Sequence, residues 1–199
     1  MPVSDSQPTE NQYIAATRCW LESVVIELNL CPFAGQQLRD DRVKFSVTNA
    51  ATEVQLLQAL EAELELLSKN VTIETTLLIH PQVLADFEDY NQFLGLADGL
   101  LEQMQLDGVF QIASFHPDYQ FADSHPDDAE NYTNRSPHPI LHILLSPKAV
   151  VQPTNNQRIG QAANGQIRSS DNGVASICSL QLTKAKSQYR SFVLLQQSI

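Results

Sequence analysis

ASFHPDYQFADSHPDDAENYTNRSPHPILHILL, running from Ala113 to Leu145, is the stretch on which the fold turns. An apolar strand ends at His116, and a second begins near His138. The segment between them, residues 116 to 137, carries His116, Asp118, Tyr119, Asn131, Tyr132, Asn134, Arg135 and Ser136. A connection this long with no apolar periodicity of its own is uncommon in a compact domain, and its usual causes are function or disorder. Its side chains look more like a site than a linker.

Upstream, helix and strand patterns alternate. Ile14, Trp20, Leu21, Val24, Val25 and Leu28 recur at three- and four-residue intervals, which predicts an amphipathic helix over residues 10–29. Val43 to Val47 alternates as a strand does, and Asn49 is placed to cap a helix carrying Val54, Leu57, Leu60, Leu64 and Leu67. Thr75 to Ile79 reads as a second strand ended by Pro81. Val83, Leu84, Phe87, Tyr90, Leu94 and Leu101 mark a long helix that stops before Gly108. Val109–Phe115 and Ile140–Leu145 complete four strands.

Strands joined by helices of this length pair in parallel through crossovers. The expected fold is therefore α/β: a single domain with a four-stranded, mostly parallel sheet, helices packed on it and the last strand antiparallel. The carboxyl ends of the first three strands then share an edge, where open α/β sheets bind ligands. His80 and His116 fall there. An antiparallel fourth strand brings Arg135 and Ser136 back to the same edge.

Composition bounds the function. With 199 residues and 43% hydrophobic content, one domain with a real core is the expectation. A formal charge of −11 repels phosphate backbones and anionic lipid surfaces, so neither nucleic acid nor a membrane is an expected partner. The first residues lack a basic region followed by an apolar one, and no run approaches the roughly 18–20 apolar residues of a membrane span. Cys19, Cys31 and Cys178 have neither CxxC nor zinc-ligand spacing, which argues against a disulfide scaffold. The expected location is the cytoplasm.

Each candidate residue has two roles to weigh. His116 is a catalytic base if Asp118 orients its ring, or a strand cap if the ring bonds a loop carbonyl. Asp118 could equally close an Asx-turn. Arg135 is the only basic side chain between Lys69 and Lys148. Its planar fork suits a carboxylate or phosphate, with Asn134 and Ser136 as neutral donors beside it. The alternative for Arg135 is an internal ion pair with Asp127, Asp128 or Glu130. Tyr119 and Tyr132 offer phenolic donors, and His80 lines the same edge.

Cys31 is a reserve nucleophile, activated at a helix N-terminus and inert at a helix C-terminus or in the core. His142, within a run apolar on both faces, reads as a core histidine. His125 sits in an acidic stretch and reads as solvated. The histidines have no diagnostic metal-ligand spacing, and no glycine-rich loop supports a nucleotide cofactor; the cofactor is unknown.

Three segments, LNLCPFA (Leu28 to Ala34), ASFHPDYQFAD (Ala113 to Asp123) and ENYTNRSPHPILH (Glu130 to His142), resemble the bacterial family known as domain of unknown function family 1415. The resemblance spans residues 1 to about 145 and implies no particular activity. It points to the same Cys-Pro-Phe, His-Pro-x-Tyr-Gln-Phe and Asn-Tyr-Thr-Asn-Arg-Ser-Pro residues. It departs at His138, where the family has tyrosine, and again after Ser146. The chain thus divides into a 1–147 α/β domain and a 148–199 tail.

That tail has six bases against the single acid Asp171, a formal +5 that leaves −16 on the preceding residues. Its polar composition reads as weakly ordered. A tail of this kind folds back on the acidic domain, binds a partner or reflects a shifted reading frame.

Three functional classes follow. One is an enzyme for hydrolysis or group transfer on a small anionic substrate, with His116, Asp118 and Cys31 catalytic and Arg135 the anion clamp. The second is a non-catalytic module binding a small ligand or a protein through the same loop. The third is a metal-dependent protein built on His116, Asp118 and another histidine.

Overall fold

A computed structural model of the protein describes residues 7–146. The four expected strands are present as β1 (Val43–Val47), β2 (Thr75–Ile79), β3 (Phe110–Phe115) and β4 (Ile140–Leu145). They form one sheet in the order β1-β2-β4-β3. β1 pairs with β2 in parallel, and β4 pairs antiparallel with both β2 and β3.

The sheet is therefore mixed, and the expected mostly parallel arrangement is corrected. β1, β2 and β3 do run the same way, but β4 inserts between β2 and β3 and removes their parallel contact. Burial gives the reason. Residues of β2 are buried at every position, and Ile140, Leu141 and Ile143 of β4 are fully buried, so these two runs, apolar on both faces, take the centre. β3 exposes Gln111, and no residue of β1 is fully buried, as edge strands permit.

Helices cover both faces. On one side, α3 (Glu53–Lys69) and α4 (Phe87–Gln103) pack against the sheet. Leu56, Leu60, Leu64 and Leu67 of α3 and Tyr90, Phe93, Ala97 and Leu101 of α4 recur at helical spacing and close over Leu78, Leu141 and Ile143. Fully burying each such leucine contributes roughly 1.5–3 kcal/mol. The side chain of Thr52, not Asn49, caps α3 by accepting from the Gln55 amide, and Val54 is exposed while Leu56 takes its place inside.

On the other face lie α1 (Glu10–Trp20), a π-helical segment (Leu21–Ile26) and the short α2 (Ala34–Arg39). The helix expected over 10–29 thus loosens into i→i+5 hydrogen bonding after Trp20, visible in Glu27 N to Glu22 O and Leu30 N to Val25 O. Trp20, Val24 and Val25 pack there on Leu77, Ile79 and Ile140.

The helix expected from Val83 starts instead at Phe87. Asp86 stops it by accepting from the Glu88 and Asp89 amides at 2.8 and 3.2 Å, and Leu84 takes a left-handed backbone, φ 58°. No helix among the described residues is long and apolar enough to cross a membrane. The tail from residue 148 and Cys178 lie outside the described residues.

Candidate functional site

His80 follows β2 and His116 follows β3, on either side of the start of β4. The His80 amide donates to Pro139 O at 3.1 Å, which ties β2 to the approach to β4. Both imidazoles are fully buried. His80 Nδ1 bonds the Val83 carbonyl at 3.0 Å, and His116 Nε2 bonds the next carbonyl, Leu84, at 3.2 Å. Two histidines from two strand ends thus hold consecutive carbonyls of the β2–α4 connection, at the point where the backbone turns left-handed.

A carbonyl only accepts, so these contacts fix the tautomers: His80 is protonated on Nδ1 and His116 on Nε2. His80 Nε2 is then a buried acceptor without a hydrogen-bond partner among the described residues. His116 Nδ1 accepts the Asp118 backbone N–H at 3.1 Å. The hydrogen bond between His116 and Asp118 therefore runs through the main chain of Asp118, whose side chain is exposed. Both ring nitrogens of His116 are engaged with backbone.

Burial pushes His80 down to about 4, with the His116 ring adding to the effect and the Val83 and His80 carbonyls opposing it. Burial also lowers His116, against the Leu84 carbonyl, the Asp118 and Asp86 charges and the Ala85 carbonyl. Both rings are neutral at pH 7.

Tyr90 anchors this edge. Its hydroxyl donates to Ile140 O at 2.8 Å and accepts from Phe115 N at 3.0 Å, spanning the last paired residues of β3 and β4. Its ring stacks on His80 at 5.8 Å and tilts against His116 at 5.1 Å. Burial raises its pKa far above that of a free phenol. Tyr90 is read from sequence only as an apolar helix position, yet a tyrosine buried among apolar residues needs a partner for its hydroxyl, and that signal was available.

The 116–139 connection is ordered by its own polar residues. Asn131, fully buried, accepts the Phe121 amide at 2.8 Å and donates to His125 O at 2.8 Å, and the Ser124 hydroxyl lies 2.9 Å from its Oδ1. It stands in a 3-10 turn, Ala129–Thr133. Asn134 Nδ2 donates to Ser114 O at 3.1 Å, and Asn134 O accepts from His116 N at 3.2 Å. Ser136, also fully buried, donates to His138 O at 2.5 Å.

Arg135 lies across this loop. Its Nε donates to Tyr119 O at 3.0 Å and its Nη2 to Pro126 O at 2.8 Å, while its guanidinium carbon sits 4.3 Å from the centre of the Tyr132 ring. The alternative of an ion pair with Asp127, Asp128 or Glu130 is not realised: no described carboxylate pairs with Arg135. Tyr119 joins Arg135 to the histidines, since its amide donates to His116 O at 3.1 Å and its ring packs on Phe87, which also touches His116.

The structure therefore brings His80, His116, Tyr119, Tyr132, Asn134 and Arg135 into one connected edge. Cys31 is elsewhere. It is a half-buried free thiol packed against the core on the α1 face, and it precedes Phe33, the N-cap of α2, by two residues. His138 packs edge-on against Tyr13 of α1 at 4.8 Å. His142 Nε2 bonds the Thr75 hydroxyl at 2.6 Å as a core histidine, and burial takes it to about 4. Among the described residues no group of three or more His, Cys, Asp or Glu side chains is arranged to hold a metal ion.

Searches of curated proteins and of solved structures return no match. A family model does match, over residues 12–159, which includes all three of the motifs quoted above and the whole of this edge. The chain belongs to the family described as Protein of unknown function (DUF1415).

Proposed function

We propose that the 116–139 connection binds a small, singly charged anion, with Arg135 as its contact. The observation that carries this is the state of the Arg135 guanidinium. Two of its five N–H donors bond backbone carbonyls, its face rests on Tyr132, and no described carboxylate neutralises it. A guanidinium fixed on one side and unpaired on the other is pre-organised for a carboxylate, because little rotamer freedom remains to be lost on binding.

Neighbouring charge narrows the ligand. Asp118, Asp123, Asp127, Asp128 and Glu130 belong to the same connection and disfavour a second negative charge. A monocarboxylate fits better than a phosphate dianion.

Binding is supported over catalysis. His116 has both nitrogens on backbone groups and Cys31 sits on the opposite face of the sheet, so neither is available as a base or nucleophile beside Arg135. His80, His116, Asn134 and Ser136 act in this proposal as the scaffold of the loop. Tyr119 and Tyr132 shape the seat of the arginine.

The test is a binding screen of small mono- and dicarboxylates and inorganic phosphate against the pure protein by NMR. A monocarboxylate that shifts the loop resonances, and no longer does so in Arg135→Ala, supports the proposal. A hit whose binding survives Arg135→Ala removes it.

A further inference from the structure

The His116 ring bridges two backbone groups of opposite kind. Nε2 faces a carbonyl, Leu84 O, and must carry hydrogen; Nδ1 faces an N–H, that of Asp118, and must carry a lone pair. The geometry exists only with the ring neutral and in one tautomer. A proton added at Nδ1 sets two donors against each other at 3.1 Å inside the protein.

His116 also sits where the loop is hinged to the strand. Its amide donates to Asn134 O, its carbonyl accepts from Tyr119 N, and Tyr119 O accepts from Arg135 Nε. Any movement that frees the Asp118 amide passes through that turn to the seat of the guanidinium.

We propose that His116 is a proton-sensitive latch: protonation of its imidazole releases the 116–119 turn and with it the fixed position of Arg135. That the released arginine also releases a ligand rests on the anion-binding proposal above; the latch itself does not.

The groups facing the ring set its direction. Asp86 and the Leu84 and Ala85 carbonyls approach from the β2–α4 connection, Tyr90 and Phe87 from α4, His80 from the end of β2, and Asp118 from its own turn. The two carboxylates and the carbonyls favour the charged ring; burial opposes it. Burial is the largest effect, so the latch is closed at neutral pH and opens on acidification.

NMR on the full chain without ligand tests this directly. Ring nitrogen shifts report the His116 tautomer, and amide exchange protection reports the loop, from about pH 7.5 to about pH 4.5. The expected result is an Nε2–H tautomer at the upper pH. As the ring takes a proton, protection at Asp118, Tyr119 and Phe121 falls about tenfold or more along the same titration curve, and by more than any loss at Leu60 and Leu64 in α3, which follows global stability alone. His116→Asn, whose Oδ1 can take the position of Nδ1 as acceptor but cannot titrate, removes the response. An Nδ1–H tautomer, loop protection that is unchanged as the ring titrates, equal loss in α3, or a response retained in His116→Asn overturns the latch. Should His116→Asn not fold, the wild-type tautomer and protection curves decide alone. Adding acetate afterwards tests the anion site separately, since a working latch with no effect of any carboxylate removes only that proposal.

Discussion

His116 and Leu84, 32 residues apart in the chain, meet at 3.2 Å between imidazole Nε2 and carbonyl oxygen. Leu84 has a positive φ of 58°, a conformation that costs a non-glycine residue roughly 1–2 kcal/mol. His80 holds the preceding carbonyl, and α4 begins immediately beyond the turn. The two histidines thus fix the connection from β2 to α4 to the end of β3, and the 116–139 loop is built out from that junction.

Acid should weaken the fold over a defined range. The buried rings of His80 and His142 titrate near 4, below the unfolded value of 6.5, and burial lowers His116 and His138 as well. Between those values the unfolded chain binds more protons than the native one. Stability is therefore full above about pH 6.5 and is lost progressively down to about pH 4, His80 and His142 each contributing on the order of 3 kcal/mol at most. Urea midpoints measured across this window should fall steadily with pH; a flat profile contradicts the buried neutral state.

Tyr90→Phe leaves the ring packing in place and strips Phe115 N and Ile140 O of their shared partner. Leaving buried polar groups unpaired should lower stability by about 2 kcal/mol, read as a reduced urea midpoint with an unchanged slope. A loss below about 0.5 kcal/mol would mean that water replaces the hydroxyl at this edge.

Asn131→Ala removes the side chain that joins Phe121, Ser124 and His125. The effect should be local: amide protection in the 116–139 loop falls, while α3 and β2 keep theirs. Equal loss across the core would show instead that the loop and the sheet unfold as one unit.

Much of the fold was legible in the sequence because period and punctuation carry it. Three strands have the bounds expected of them, and β3 begins one residue later than Val109. Strand order was not legible from the crossovers alone, although the run from Ile140 to Leu144, apolar on both faces, already marked a central strand rather than an edge. The meeting of His80, His116 and the start of β4 followed from strand direction. The partners of His116 did not, because both are backbone groups, and one belongs to a left-handed turn where periodicity suggested helix. Asn131 was visible as one polar residue among many, and only its burial makes it the centre of the loop. The same limit applied to Arg135: sequence showed acids nearby, not that the guanidinium would turn to the carbonyls of Tyr119 and Pro126.

The proposed role of Arg135 is tested most directly by the affinity of a small monocarboxylate found in the screen, measured by calorimetry on wild type, Arg135→Lys and Arg135→Ala, with urea stability recorded alongside. The expected result is a loss of affinity of about 30-fold or more in Arg135→Ala, corresponding to a charged hydrogen-bonded contact worth about 2 kcal/mol or more, and partial retention in Arg135→Lys. Stability should fall by about 1–2 kcal/mol, since two hydrogen bonds to carbonyls, one of them partly buried, and the contact with the Tyr132 ring are lost. Unchanged affinity in Arg135→Ala, with the loop still folded, contradicts the account.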